Sequence, residues 1–403
     1  MQKEVFIKDF LSGCIVRRIH YWLSIFVLLL SIVHELSAQE IGHTTVTFMD
    51  TSRGNRQIPT EIYYPATASG TNTPIAPGVF PLVVHGHGFV MIWSAYQNIW
   101  TALVPEGYIV AFPTTEGGFA PKHADFGLDL AFLVTAIQQQ GAGAAVPAAS
   151  VGTTSAIMGH SMGGGSSFLA TADNPNLTTM ISFAAANTNP SSIAAARKVA
   201  VPTLIFSGTN DCITPPPAQQ DIMYDSTAAA YKTQVYITGG GHCYFADFNF
   251  NCSLGEATCS PSPSISREEQ EATTADFLKL WLARYLSGDC SKGQAFQDSL
   301  AMSSRITYRQ SESISCISGT EEHGVSAIPH TLFPNPLHTQ LVIEVSSDEL
   351  TTLAIYDLQG RLMLEQSFEH RTTVDTTSLE KGVYVYRLHN RNGNTASGKF
   401  IKN

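Results

Sequence analysis

The sequence predicts an α/β domain, doubly wound on a mostly parallel sheet, followed by a small all-β sandwich. Three observations lead there. Residues 39–288 alternate short apolar runs with stretches of helical spacing. Two of those runs, Phe80–Val84 (FPLVV) and Tyr108–Phe112 (YIVAF), show no polar alternation, as strands buried on both faces should. From Phe333 the pattern changes to short alternating segments separated by turn residues.

The elements follow in order. Thr44–Met49 and Thr60–Tyr64 alternate polar and apolar residues, predicting half-buried antiparallel strands. Phe80–Val84 and Tyr108–Phe112 predict buried parallel strands. Phe126–Ile137 has helical spacing, with Asp125 as its N-cap. Ser155–Met158, Met180–Ala184, Thr203–Ser207 and Gln234–Thr238 add further strands, about eight in all for a sheet of this type. Glu268–Leu286 reads as a long amphipathic helix stopped by Gly288. Ser287–Pro329 is rich in Ser, Thr, Gly and Gln and shows little apolar periodicity, so residues 289–330 are expected to be a tail and linker.

Composition narrows the function. The chain has 403 residues, of which 14% are charged and 44% hydrophobic, so a sizeable packed core is expected rather than disorder. Its net charge of −10 argues against a nucleic-acid or anionic-membrane surface. Near the N-terminus Lys3, Lys8, Arg17 and Arg18 precede an apolar run, Tyr21–Val33, too short to span a bilayer, and then Leu36-Ser37-Ala38. This predicts a secretory signal peptide over residues 1–38. Cleavage there would remove Cys14 and leave six cysteines, Cys212, Cys243, Cys252, Cys259, Cys290 and Cys316. An even count in an exported chain predicts disulfides, and spacing alone leaves their pairing open.

The C-terminal segment carries FPNP (Phe333–Pro336), then LVIEV, LAIYDLQGRLM, LEKGVYVYRL and a basic KFIKN end, with turn signals at Gln359-Gly360, Lys381-Gly382 and Asn392-Gly393. Across residues 331–403 this resembles the C-terminal sorting domain of type IX (Por) secretion. The resemblance implies that the type IX machinery is a partner and that the chain crosses an outer membrane after Sec export, to be secreted or held at the cell surface.

The chemistry gathers at three strand ends of the first domain. Gly159-His160-Ser161-Met162-Gly163 follows an apolar run and precedes the helical stretch SSFLATA. G-x-S-x-G in a strand–turn–helix context lifts a serine hydroxyl above a sheet, with glycines where side chains would collide. Serine needs a base, which follows the nucleophile in such folds. Of the histidines beyond Ser161, only His242, in Gly239-Gly240-Gly241-His242, falls within this domain. The acid must lie between them. No glutamate occurs there, and the aspartates are Asp173, Asp211, Asp221 and Asp225. Asp211 follows the strand LIFSG closely, whereas Asp221 and Asp225 sit four apart on a helical stretch and predict a solvated face. The catalytic set is therefore Ser161, Asp211 and His242. The third strand end is His85-Gly86-His87-Gly88-Phe89. Acyl transfer needs two N–H donors for a developing oxyanion, and Phe89 and Met162 are the candidates. H-x-H lacks a third clustered ligand, so no metal is expected. Phe89, Trp93 and Phe119 are candidates to line an apolar substrate cleft.

HGHGF after a strand, GHSMGGG, a late Asp and GGGH together resemble the secreted α/β-hydrolases of the dienelactone hydrolase, chlorophyllase and bacterial cutinase (polyester hydrolase) group, over residues 60–286. The resemblance implies the α/β-hydrolase fold, no cofactor, an ester substrate of small or polymeric form, and the triad and oxyanion hole named above. The chain is read as a monomer. Several polyester hydrolases place a tryptophan after the strand that follows the nucleophile helix; here that stretch is Ala184–Thr188, without an aromatic. A bridge between acid and base loops in some relatives implies Cys212–Cys243 here, leaving Cys252–Cys259 and Cys290–Cys316. The same fold and triad also serve serine peptidases and acyltransferases, and an exported binding protein could keep them without activity.

Overall fold

In the computed structural model the described residues are 39–403 apart from 173, 175, 315–327, 347–348, 358–360 and 391–393. The expected signal peptide, Asp173, Cys316 and the turns at Gln359-Gly360 and Asn392-Gly393 lie outside them. Two compact units divide at Cys316/Ile317.

The first unit is a ten-stranded sheet with helices on both faces. Its strands are β1 (Glu40–Asp50), β2 (Arg56–Ala66), β3 (Gly70–Thr71), β4 (Phe80–Gly86), β5 (Ile109–Pro113), β6 (Val151–His160), β7 (Thr179–Phe183), β8 (Thr203–Gly208), β9 (Lys232–Ile237) and β10 (Ile306–Gln310), in the order β10-β9-β8-β7-β6-β4-β5-β2-β1-β3. The helices are α1 (Gln97–Leu103), α2 (His123–Gln140), α3 (Met162–Ala172), α4 (Ser192–Ala196), α5 (Gln220–Ser226), α6 (Phe250–Glu256), α7 (Arg267–Leu286) and α8 (Cys290–Met302). From β5 to β9 every pairing is parallel. Those central strands are buried along nearly their whole length, which is why their sequences lack alternation. Leu130, Leu133 and Ile137 of α2 cover one face, and Trp100 of α1 with Leu278 and Trp281 of α7 cover the other, all buried.

Several expectations need correction. Asp125 is not an N-cap: α2 begins at His123, and Asp125 sits in its first turn, where a carboxylate favours the helix dipole. Residues 289–330 are not merely a tail. Asp289 caps α8 by accepting the Ser291 and Lys292 N–H groups, and β10 pairs antiparallel with β9 at the sheet edge. Only Ile306 of β10 is buried; Arg309 and Gln310 bond laterally to Gln234 and Thr233, so the strand had too little apolar signal to be seen. Arg309 also pairs with Asp221 and Asp225, which accounts for those two carboxylates structurally.

In the second unit, β11 (His330–Phe333), β12 (Gln340–Val345) and β15 (Arg371–Asp375) form one sheet. β13 (Thr351–Tyr356), β14 (Leu362–Phe368), β16 (Gly382–Asn390) and β17 (Thr395–Lys402) form the other. Leu341, Ile343, Leu353, Ile355, Leu388 and Phe400 fill the space between them. The sequence did not signal β15, whose inward residues are only Thr372 and Val374.

Phe296 of α8 is fully buried against Phe277 and Trp281 of α7. Phe296→Ala is expected to cost about 3 kcal/mol, as truncation of a core aromatic does, and to lower the melting temperature by several degrees. A surface-like change in a thermal melt would return this segment to the status of a tail.

Candidate active site

Ser161 stands between β6 and α3 with φ 54°, a left-handed conformation that costs a serine energy. Its backbone is pinned on both sides: its N–H donates to Phe183 O (2.9 Å), and its carbonyl accepts Gly165 N–H (3.0 Å) and Ala186 N–H (2.9 Å). Glycine is required next door because the helix crosses β4 at backbone contact. A Cβ on Gly163 would lie 2.6 Å from His87 O and closer still to Gly86 O. Met162 opens α3, so its N–H is among the first helical donors, which have no carbonyl within the helix.

Asp211, just beyond β8, is nearly buried and saturated with donors. Its Oδ1 accepts the N–H groups of Ile213 and Thr214, both at 2.8 Å; its Oδ2 accepts from Thr214 Oγ1 and His242 Nδ1, also at 2.8 Å. Burial pushes this carboxyl up, but the charge and hydrogen bond of His242 and the Thr214 donors outweigh it and hold it below the ordinary range. His242 Nδ1 faces only acceptor oxygens, Asp211 Oδ2 and Thr214 Oγ1 (3.0 Å), so it carries the proton and leaves Nε2 free to accept. Ser161 and His242 line one pocket of about 210 Å³ with Phe89, Met91, Ile213 and Cys252.

A β-turn shapes the loop after β4, with Met91 N–H on Gly88 O (3.1 Å) and Val90 at φ 51°. Gly88 N–H is taken by Tyr96 Oη (2.7 Å), while Phe89 N–H enters neither bond. Residues 34–260 match the PET hydrolase-like family, more than half of the sequence. The chain belongs to that family. Residues 331–403 match the secretion system C-terminal sorting domain. No curated protein matches the chain. As a PET hydrolase-like protein with this sorting domain, it is an ester hydrolase exported by type IX secretion to the cell surface or beyond. No described helix is long and apolar enough to cross a membrane.

The structure separates the three cleft candidates. Phe89 lines the pocket. Trp93 instead packs against Tyr63 and Trp100, at 5.9 and 5.8 Å, on the outside of the core. Phe119 is 85% exposed on the loop before α2 and does not reach the pocket. The two candidate histidines of the oxyanion strand diverge. His85, pushed down to about 3 by burial, packs on Tyr96 and Phe112, whereas His87 sits on the carbonyls of Gly88 and Thr115.

The expected Cys212–Cys243 and Cys252–Cys259 bridges do not form. Cys212 joins Cys259 and Cys243 joins Cys252, with Cα separations of 5.4 and 5.7 Å. Asp211 and His242 aim at one another, so the residues after them leave on other bearings, and each meets the segment that carries α6. Cys290 is also disulfide-bonded; Cys316, its expected partner, lies outside the described residues.

Sequence reasoning missed the groups behind Ser161, Asp211 and His242. Thr214 had one faint signal, a hydroxyl three residues after Asp211. His160, the variable residue of the motif, is buried: its Nε2 faces His242 O (3.0 Å) and its Nδ1 faces Tyr96 Oη (3.1 Å). Because Nε2 faces a carbonyl it donates there, and Nδ1 accepts from Tyr96. Burial, with the nearby His242 charge, holds His160 well below its ordinary value, so it is neutral. Gly88, Tyr96, His160 and His242 thus form one buried chain of hydrogen bonds from the loop after β4 to the His242 loop. Gln270 of α7 grips the His242 loop through Gly241 N–H and O, and Arg267 donates to Cys243 O and Ala246 O.

Two outcomes follow from this geometry. Thr214→Val removes one donor from Asp211 and one support from His242, and should lower kcat about tenfold, the worth of a hydrogen bond to a charged group, with KM within about twofold. Unchanged kcat on a soluble ester would mean that Thr214 does not assist the pair. Glu271 of α7 has a buried oxygen without a hydrogen-bond partner among the described residues. Burial pushes its carboxyl up to about 7; the Asp247 charge adds to this and Arg267 opposes it. The folded chain then holds this proton more tightly than the unfolded chain, so stability falls as pH rises from about 4.5 through about 7. Glu271→Gln should leave the melting temperature unchanged near pH 4 and raise it at pH 8.

Proposed function

We propose that the protein hydrolyses carboxylic esters through an acyl-enzyme, with Ser161 as nucleophile, His242 as general base and acid, and Asp211 as the residue that orients His242. The observation that carries this reading is the imidazole whose Nδ1–H is fixed on a fully bonded carboxylate, leaving Nε2 free in the same pocket as a serine held in a left-handed backbone. Ser161 Oγ attacks the ester carbonyl as His242 Nε2 takes its proton. The oxyanion forms against the N–H groups of Met162 and Phe89, where such donors are worth a few kcal/mol each. His242 then protonates the leaving alcohol, and water, deprotonated by the same imidazole, frees the acid and restores the serine.

Burial of Asp211 and the neutral state of His160 support the direction of charge in this scheme: the imidazolium formed in the transition state faces the Asp211 carboxylate, and the His160 ring beside it adds no positive charge. The 210 Å³ pocket, walled by Phe89, Met91 and Ile213, suits a short apolar acyl group.

Ser161→Ala is expected to lower kcat/KM on p-nitrophenyl butyrate by several orders of magnitude, and a fluorophosphonate should label Ser161 alone. A Ser161→Ala variant with near-normal turnover would overturn the assignment.

A further inference from the structure

We infer that His87 is a positioning residue for ester hydrolysis: the bond from its Nδ1–H to Gly88 O sets the direction in which Phe89 N–H meets the developing oxyanion. The inference rests on the ester-hydrolase reading above and adds a residue to it.

Gly88 O and Phe89 N–H belong to one peptide unit. That unit is planar and trans, so its oxygen and its hydrogen point in opposite directions. Whatever fixes the oxygen therefore aims the hydrogen. Two groups meet Gly88 O: Met91 N–H at 3.1 Å, through the β-turn, and His87 Nδ1 at 2.9 Å. The turn alone is a weak fastening. It holds Val90 at φ 51°, which is costly for a β-branched side chain, and Gly88 has no side chain to resist rotation. Phe89 N–H has no acceptor among the described residues, and Phe89 lines the pocket that holds Ser161. A donor left open at that place is what an oxyanion needs.

His87 is firmly seated. It is 2% exposed, its ring packs on Phe126 of α2 at 4.7 Å, and its Nε2 faces Thr115 O at 2.8 Å. Its backbone lies where α3 crosses β4, since a Cβ on Gly163 would come within 2.6 Å of His87 O. Met162 opens that helix. His87 thus adjoins both proposed oxyanion donors. Its backbone meets the helix that starts with Met162, and its ring meets the peptide that carries Phe89 N–H.

The proton of the ring has a defined place. Burial pushes the imidazole below its ordinary range, against the pull of both carbonyls and of Glu116, so at neutral pH it has one N–H for two oxygens. Thr115 is partly exposed, and water can serve its oxygen. The Gly88 contact is buried, where a bare nitrogen opposite a carbonyl has no such relief. The proton therefore sits on Nδ1. There it also polarises the Gly88 carbonyl, which strengthens Phe89 N–H as a donor.

Asparagine and glutamine separate the two ring nitrogens. The amide nitrogen of Asn falls near the place of Nδ1, and that of Gln near the place of Nε2. His87→Asn keeps a donor for Gly88 O; His87→Gln keeps one for Thr115 O alone. The full chain and both variants are assayed on p-nitrophenyl butyrate. Inhibition by butylboronic acid is measured beside it, because its serine adduct is a tetrahedral anion like the one in hydrolysis. Thermal melts check folding, and His87→Met, similar in bulk and without a donor, replaces the Gln variant if that shows no transition. The expected result for His87→Gln is a kcat lower by about 10- to 100-fold, less than the loss on removing an oxyanion donor outright. Its KM should stay within about twofold, and its boronate inhibition constant should rise in step with the loss in kcat/KM. His87→Asn should recover kcat to within about threefold of the native chain. Equal losses in the two variants overturn the proposal, because bulk rather than the Nδ1 donor would then matter. So does a normal kcat in His87→Gln, a loss confined to KM, or boronate binding that does not follow kcat/KM. Should Ser161→Ala turn over the ester at the native rate, the hydrolase reading falls and the clamp falls with it. An inactive Ser161→Ala beside a fully active His87→Gln removes the clamp alone.

Discussion

Ser161 keeps a left-handed backbone in a β–turn–α crossing so tight that α3 touches β4 backbone to backbone. The conformation is unfavourable for a serine by about 1–3 kcal/mol, and the surrounding structure holds it in place. Phe183 O, Gly165 N–H and Ala186 N–H fix the turn from three sides, and the glycine at 163 lets the helix pass Gly86 and His87 without a side chain between them. Everything else in the site is placed relative to that turn. A Cβ at 163 would force helix and strand apart and move the N–H groups of Met162 and Phe89 with them.

The second organising feature is the way buried polar groups are satisfied. Asp211 accepts four hydrogen bonds, and none of its lone pairs is left to compete for a second proton. His160 and Tyr96 carry a chain of donors and acceptors across the floor of the site, while Gln270 and Arg267 hold the base loop from α7. Unpaired polar groups at this depth would each cost stability, so the loops cannot shift independently without breaking the chain. Rigid loops that need no rearrangement on binding suit acyl transfer, in which donors must already point at a charge that has yet to form.

The same economy extends outward from the pocket. Asp211 and His242 are each followed directly by a cysteine, and both cysteines reach the strap that bears α6. The strap forms one wall of the pocket with its inner face and shows apolar side chains on its outer one. Its rigidity therefore serves that wall.

Much of the fold, and the convergence of Ser161, Asp211 and His242, was legible in the residues alone. Buried parallel strands announce themselves as unbroken apolar runs, and G-x-S-x-G between strand and helix has one mechanical meaning. The short stretch from Ser161 to the end of the domain offered a single histidine, and its order with Asp211 followed. The sorting domain was plain apart from β15, because most of its strands alternate and its FPNP and KFIKN signatures are local. What the residues could not reveal depended on direction and on distant partners. Asp211 and His242 meet, yet the adjacent Cys212 and Cys243 do not, because side-chain bearings are set by backbone turns that spacing does not encode. β10 is polar and gains its identity only from pairing with β9. Trp93 and Phe89 are alike in type and stand four positions apart, but one packs on the core and the other lines the pocket. Thr214, Tyr96 and His160 matter through hydrogen bonds to groups far away in the chain, and only the tertiary structure brings those groups within reach.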